Sequence, residues 1–214
     1  MPGVAGALEQ GAATTYEVAV QQLELCASGS SIDATGASAP SCLDPYVVGS
    51  GSATFDIASV AAGAALGNYS SISSLPAGKT YTHIRITLAR RFSIAGTLAS
   101  GCRTDSADTS SSITTPGIGI HDSGTGTPQT LYIPNVDAFG PGIPSDADYW
   151  SNGVQIIDGS TFSLVHSLEG SVTGGGTLPK ITVAFNTQTA LSGQLNGQVC
   201  DMFPAAPSAN LGIE

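Results

Sequence analysis

Charge is scarce in this chain. Of its 214 residues only 10% are charged, against 41% hydrophobic, and a charged fraction well below the usual ~25% excludes a coiled coil or a charge-laced helical bundle. Basic side chains are the rarest: 6 Lys and Arg face 16 Asp and Glu, a net charge of −10. Phosphate backbones are therefore repelled, and no nucleic-acid partner is expected. Long apolar runs are missing too. None approaches the ~20 residues of a helical membrane span, so no membrane span is expected either. The opening residues, Met1-Pro-Gly-Val-Ala-Gly-Ala-Leu-Glu9, contain neither the basic segment nor the apolar centre of a secretory signal. Two expectations follow: a signal already removed, or a chain assembled inside a cell, as a virus component is.

What is present is a supply of Val, Ile, Leu and Phe large enough to argue against disorder, set among 27 Gly and 12 Pro. The length suits one large domain or two small ones, and can bury a sizeable core. Four cysteines, Cys26, Cys42, Cys102 and Cys200, show no C-x-x-C spacing, which weakens zinc-ribbon and thioredoxin-like readings. Four cysteines allow three pairings. Cys26 ends a strand-like run and Cys42 follows a Ser/Gly/Ala/Pro loop, which favours Cys26–Cys42 and leaves Cys102–Cys200. An oxidising, extracytoplasmic location would follow.

The patterning is that of strands. Residues 15–26 alternate Tyr16, Val18 and Val20 against Glu17, Ala19 and Gln21, then shift phase to Leu23 and Leu25. This predicts a half-buried strand with a bulge near Gln21-Gln22. Residues 46–48 and 53–60 read as two short strands around a flexible Gly49-Ser50-Gly51-Ser52 joint, and residues 61–71 as an Ala-rich helical turn. The strongest run, 80–98, sets Thr82, Ile84, Ile86 and Leu88 against Tyr81, His83, Arg85 and Thr87. Residues 103–128 and 135–153 read as long polar loops. Strands follow at 154–158, 161–168 and 180–186, with a closing one at 195–200. The expected fold class is all-β: an antiparallel β-sandwich, prealbumin/Ig-like or jelly-roll-like, with long Gly/Ser/Thr-rich loops and extended termini. Its expected organisation is an N-terminal arm at 1–14, one sandwich domain at 15–202 and a tail at 203–214.

Residues 53–67, ATFDIASVAAGAALG, followed by Leu75-Pro76-Ala77-Gly78 and the Tyr81-x-x-Ile84-Arg85 strand, resemble prealbumin-like β-sandwich domains of bacterial secreted and surface proteins. The resemblance covers residues 53–88. It implies a sandwich outside the cell and carries over no catalytic residues.

Chemistry finds little support. No G-x-S-x-G elbow or S-x-x-K motif occurs, and of three histidines His83 reads as a half-exposed cross-strand partner and His166 as a core-edge residue. His121-Asp122-Ser123 contains the residue types of a triad, but neighbours in sequence do not make triad geometry. No catalytic residues are expected. No cofactor is expected, with calcium as the one candidate: Asp105 with Asp108, and Asp146 with Asp148, place acid pairs in loops whose carbonyls could complete an oxygen shell. Solvated acids that cap turns explain the same residues. Asn68-Tyr69-Ser70 fits a glycosylation acceptor. Phe139, Tyr149 and Trp150 could form a ligand-binding platform, though one Trp anchoring its loop on the sandwich accounts for them equally.

Both termini are too poor in large apolar residues to form a core. An arm that adds to an exposed sheet edge of a neighbouring subunit would hold them, with Val4, Ala5 and Leu8, and Leu211 and Ile213, as anchors. The leading expectation is a non-enzymatic structural subunit of an extracellular filament or surface assembly, a homopolymer. The alternative is a secreted adhesin module that binds surface glycans, and the third is a virus capsid or tail protein.

Overall fold

A computed structural model describes residues 7–59, 74–122, 124–133, 145–175 and 181–213. The architecture grows outward from one strand, β2, and the strand numbers below follow chain order among the described residues. After the short β1 (Glu9–Gly11), β2 (Ala13–Ala27) buries Tyr16, Val18 and Leu25. Its neighbours are β3 (Tyr46–Asp56) on one side and β4 (Thr80–Ala89) with β5 (Arg91–Gly96) on the other. The register against both β3 and β4 shifts between Val20 and Gln22. Against β4, Gln21 is the additional residue of a bulge that absorbs the phase slip so that Leu23 and Leu25 return to the buried side; against β3 the additional residue is on β3, where Gly51-Ser52 face Gln21.

A second bulge was not legible. Cys26 pairs with His83 but Ala27 pairs with Tyr81, so Thr82 is skipped and the alternation reverses. Tyr81, expected on the polar face beside His83, is fully buried and packs with Ile84 and Ile86. β4 and β5 then run beside β2 as one bent strand interrupted at Arg90. That residue is buried, its guanidinium donating to Ile133 O at 2.6 and 3.1 Å and to Asp158 O at 3.1 Å.

Two further layers of pairing complete this sheet: β8 (Gln129–Tyr132) on β5, and β10 (Thr161–Thr173) on β4 with β9 (Val154–Ile156) outside it. The opposing sheet has the order β1-β12-β13-β7-β6, where β6 is Cys102–Arg103, β7 Gly117–His121, β12 Leu191–Asn196 and β13 Val199–Pro204. A separate ribbon pairs β11 (Ile181–Asn186) with β14 (Ser208–Ile213). Every pairing between these strands is antiparallel. Between the sheets lie Tyr16, Phe92, Ile94, Leu131 and Phe162 from one, and Leu191, Met202, Cys102 and Cys200 from the other. Burial of each large apolar side chain contributes about 1.5–3 kcal/mol. The chain is an all-β antiparallel sandwich, and both disulfides pair as expected, with Cα separations of 5.0 Å for Cys26–Cys42 and 5.6 Å for Cys102–Cys200.

Several boundaries differ from the patterning. The Gly49–Ser52 joint is part of continuous β3, because β2 supplies partners along its length. The 195–200 run is a hairpin, β12 and β13 turning at Gly197-Gln198, where Gly197 has φ 69°. Within the expected 135–153 loop lies a helix, α1 (Asp146–Ser151), started by a capping box in which Ser145 and Asp148 satisfy each other's backbone N–H. The expected helical turn at 61–71 falls among residues 60–73, which lie outside the described residues, as do Asn68 and part of the prealbumin-like segment.

The termini also change. β1 pairs with β12, and buried Ala13 already belongs to β2, so the described part of the 1–14 arm from Glu9 onward belongs to the domain. The expected 203–214 tail supplies the end of β13 and all of β14, whose Leu211 and Ile213 pair with Val183 and Ile181 of the same chain. A tail that completes its own ribbon is not an extended free end.

Candidate functional site

The most elaborate described surface lies where the loop after β6 crosses the β5–β8 edge. Its organiser is Gln129, 1% exposed, at the start of β8. The carboxamide oxygen accepts from Asp105 N at 3.2 Å, while Nε2 donates to Asp108 Oδ2 at 2.6 Å and to Ile118 O at 3.1 Å. One side chain thus ties the beginning, middle and end of the 105–118 segment. Neighbouring bonds reinforce it: Thr104 N to Gly96 O at 3.1 Å, Ser106 N to Thr127 Oγ1 at 2.8 Å.

Asp108 sits within this clamp. Oδ1 accepts from the N–H and hydroxyl of Ser110 at 3.0 and 2.6 Å, and Oδ2 accepts from Ile118 N at 2.9 Å as well as from Gln129. Burial opposes its ionised form, but these donors prevail and hold its pKa below the usual carboxylate value. Asp105 Oδ1 accepts from Ala107 N at 3.1 Å. The pair expected to offer oxygens to calcium instead faces N–H and O–H donors, and a carboxylate engaged this way caps a turn. Asp148 does the same for α1, taking Ser145 N and Oγ at 2.7 Å, with its pKa lowered by those two bonds. Asp146 stands beside it in the first turn of α1. Among the described residues no group of three or more His, Cys, Asp or Glu converges.

Between the clamped loop and the outer face of β5–β8 is a cleft of about 350 Å³. Arg91 and Tyr132, directly paired across the strands, form part of its floor, with Thr130 two pairs along on the same face. Ser106, Thr109 and Ser111 rim it from the loop. Ser111 Oγ is buried and has no hydrogen-bond partner among the described residues. Arg91 is exposed, and its guanidinium makes no ion pair or hydrogen bond among the described residues. The other described cations are engaged: Lys79 with Asp44 at 3.0 Å, Arg85 with buried Glu24 at 2.6 Å, Arg103 with Asp122 at 3.1 Å, and Arg90 with backbone carbonyls. The dipeptide Arg90-Arg91 therefore divides into a structural guanidinium and an open one. Composition offered no signal for that division; strand alternation, which turns neighbours to opposite faces, was the only one in the sequence.

The remaining candidates are dispersed. Phe139 lies outside the described residues. Tyr149 packs against the main core, burial pushing its hydroxyl up to about 12, and Trp150 is half-buried beside it on α1. The disulfide-closed loop rests on the same helix: a Cβ at Gly36, φ 68°, would fall 2.1 Å from Ala147 O. His83 is half-buried with its pKa lowered by burial and by His166, and its Nδ1 lies 3.0 Å from Thr82 Oγ1. His166 meets its neighbour's carbonyl, Ser167 O, at 2.8 Å. His121 Nε2 meets Ser100 O at 3.0 Å while Asp122 turns to Arg103, so these neighbours act apart, and Ser123 lies outside the described residues.

Two surfaces bear on association. β3 has one strand neighbour, β2, among the described residues, and it contains no Lys, Arg or Pro. On the opposite sheet, β7 turns Gly117 and Gly119 inward, close to Leu131 and Met202, and leaves Ile118 and Ile120 exposed beside exposed Val199. Compared with known proteins, the chain matches no family, and no curated protein or solved structure is significantly similar to it.

Proposed function

We propose that this chain is a non-enzymatic structural subunit of an extracellular filament or surface assembly, joined to its copies by strand addition. The observation that carries the reading is β3: eleven residues long, partnered among the described residues by β2 alone, and ending at Asp56 as its only charge. Edge strands are normally blunted by Lys, Pro, an inward charge or bulges, because an open ladder recruits another chain; β3 has only bulges, at Val48 and at Gly51-Ser52. The segment ahead of β1 supplies the donor, with exposed Leu8 next to the first strand and Val4 and Ala5 before it. The pattern of β7 supports the same conclusion, since glycines inside and isoleucines outside reserve apolar contact for a second copy. Two disulfides suit an oxidising space outside the cell, as does the prealbumin-like likeness.

Negative-stain microscopy and light scattering on the purified chain test the proposal. Unbranched fibres or a ladder of oligomers support it, and a monomer at every concentration ends it. Val47, exposed on β3, provides the specific probe. Val47→Lys should reduce assembly at least tenfold while leaving the circular dichroism spectrum unchanged, and deletion of residues 1–8 should do the same without disturbing β1. A variant that assembles like the parent would remove strand addition as the joint.

A further inference from the structure

We infer that the Arg91 cleft is a binding site for an acidic saccharide, a hydroxyl-rich ring that carries one carboxylate. Its volume, about 350 Å³, falls within the ~300–1,000 Å³ typical of small-molecule sites. Arg91 supplies a planar fork that matches a carboxylate with two parallel N–H bonds, and no described residue competes for it. The charge around it selects the anion. The overall charge is −10, Asp108 lines the cleft and Asp105 opens the loop, so one guanidinium balances a single negative charge and leaves a phosphate dianion or a sulfated chain repelled.

The hydroxyls select the rest of the ligand. Ser106, Thr109 and Thr130 can each donate and accept, which is the requirement for meeting sugar hydroxyls. Tyr132 gives an aromatic surface next to the cation, suited to the C–H face of a pyranose. Because Gln129 and Asp108 already hold the loop, these groups are positioned before a ligand arrives, and little ordering is lost on binding. The site is independent of the assembly proposal, since none of its residues lies on β3 or ahead of β1.

Amide chemical-shift titration of the ¹⁵N-labelled chain with three probes tests it: methyl galacturonoside, which carries one carboxylate, its methyl ester, and acetate. The galacturonoside acid should shift the amides of Thr109, Ser111 and Thr130. Arg91→Gln should weaken this by about ten- to a hundredfold, the loss of a charge-assisted pair, with the rest of the spectrum unchanged. The methyl ester should bind no better than the Arg91→Gln variant binds the acid. Three results would overturn the inference: equal binding of ester and acid, acetate reproducing the same shifts at the same concentration, or no response at these amides to any probe. Because the titration can be run on monomeric Val47→Lys protein, its outcome is separate from that of the filament test.

Discussion

Residues 28–41 and residues 104–116 are both polar loops that leave buried strands, and both cap their turns with aspartates. Asp33 accepts from Thr35 N and Oγ1 at 2.9 and 2.6 Å and from Ser38 Oγ at 3.1 Å, much as Asp108 accepts from Ser110. The first loop is closed by the Cys26–Cys42 bond, whereas the second, which starts beside Cys102, is held across its span by one carboxamide. A disulfide acts by restricting the unfolded chain and persists whatever the local fluctuations. Hydrogen bonds act only while they are formed, so the loop they hold has its own opening equilibrium. The rim of the ligand cleft is built on the second kind of closure, and the docking of a loop on α1 on the first.

The comparison can be broken at four points, from the largest effect downward. Replacing Cys102 and Cys200 by Ala should cost about 4–5 kcal/mol, since the bond spans 98 residues of sequence. Replacing Cys26 and Cys42, 16 apart, should cost about 3 kcal/mol. Urea midpoints measured side by side decide the order, and equal losses would mean that strain or residual structure outweighs chain entropy. Gln129→Leu comes next, at about 2 kcal/mol, because it leaves buried polar partners unmatched. Hydrogen exchange should accelerate across residues 105–118 and stay unchanged across 28–41; uniform acceleration would show that Gln129 supports the core and not the loop alone.

Acid should produce the smallest effect. The folded pKa of Asp108 lies below its unfolded value of ~3.9, so its contribution is complete above that value and is lost as the pH falls through the lowered folded one. Asp33 also has a lowered pKa, chiefly from its hydrogen bond with the Thr35 hydroxyl, but the disulfide retains its loop after protonation. The protection of the Ile118 amide, its exchange rate relative to the intrinsic rate at the same pH, should therefore fall in acid while amides inside the Cys26–Cys42 loop keep theirs. Parallel behaviour of the two loops would refute the distinction.

Much of the sandwich could be read from alternation, including the bulge at Gln21, because a strand whose apolar phase slips between Val20 and Leu23 must let one residue leave the ladder. The Thr82 bulge could not, since Tyr81 and Thr82 fit either face and only the pairing with Ala27 decides. α1 did leave a sign in Ser145-x-x-Asp148, but a six-residue helix among Gly, Pro and Asp is too short for periodicity to register. The cleft was hidden more deeply. Gln129 is a single polar residue between Pro128 and Thr130, and nothing local says that it will be buried or that residues 105 and 118 will meet it. Of the acids singled out for calcium, Asp105 and Asp108 lie in a loop and Asp146 and Asp148 in the first turn of α1, and one donor that Asp108 captures comes from twenty-one residues away.

Composition and period alone determined that this is an all-β chain, too sparsely charged for a helical bundle, and favoured the cysteine pairing that the structure shows, because those properties depend on residue type and local spacing. Tertiary structure decided which of two adjacent arginines is buried, that the C-terminal segment completes its own ribbon, and that a polar loop becomes the wall of a cleft. Those outcomes depend on which distant backbone groups and side chains arrive at the same place, and that is settled by the packing of the two sheets rather than by any stretch of sequence read by itself.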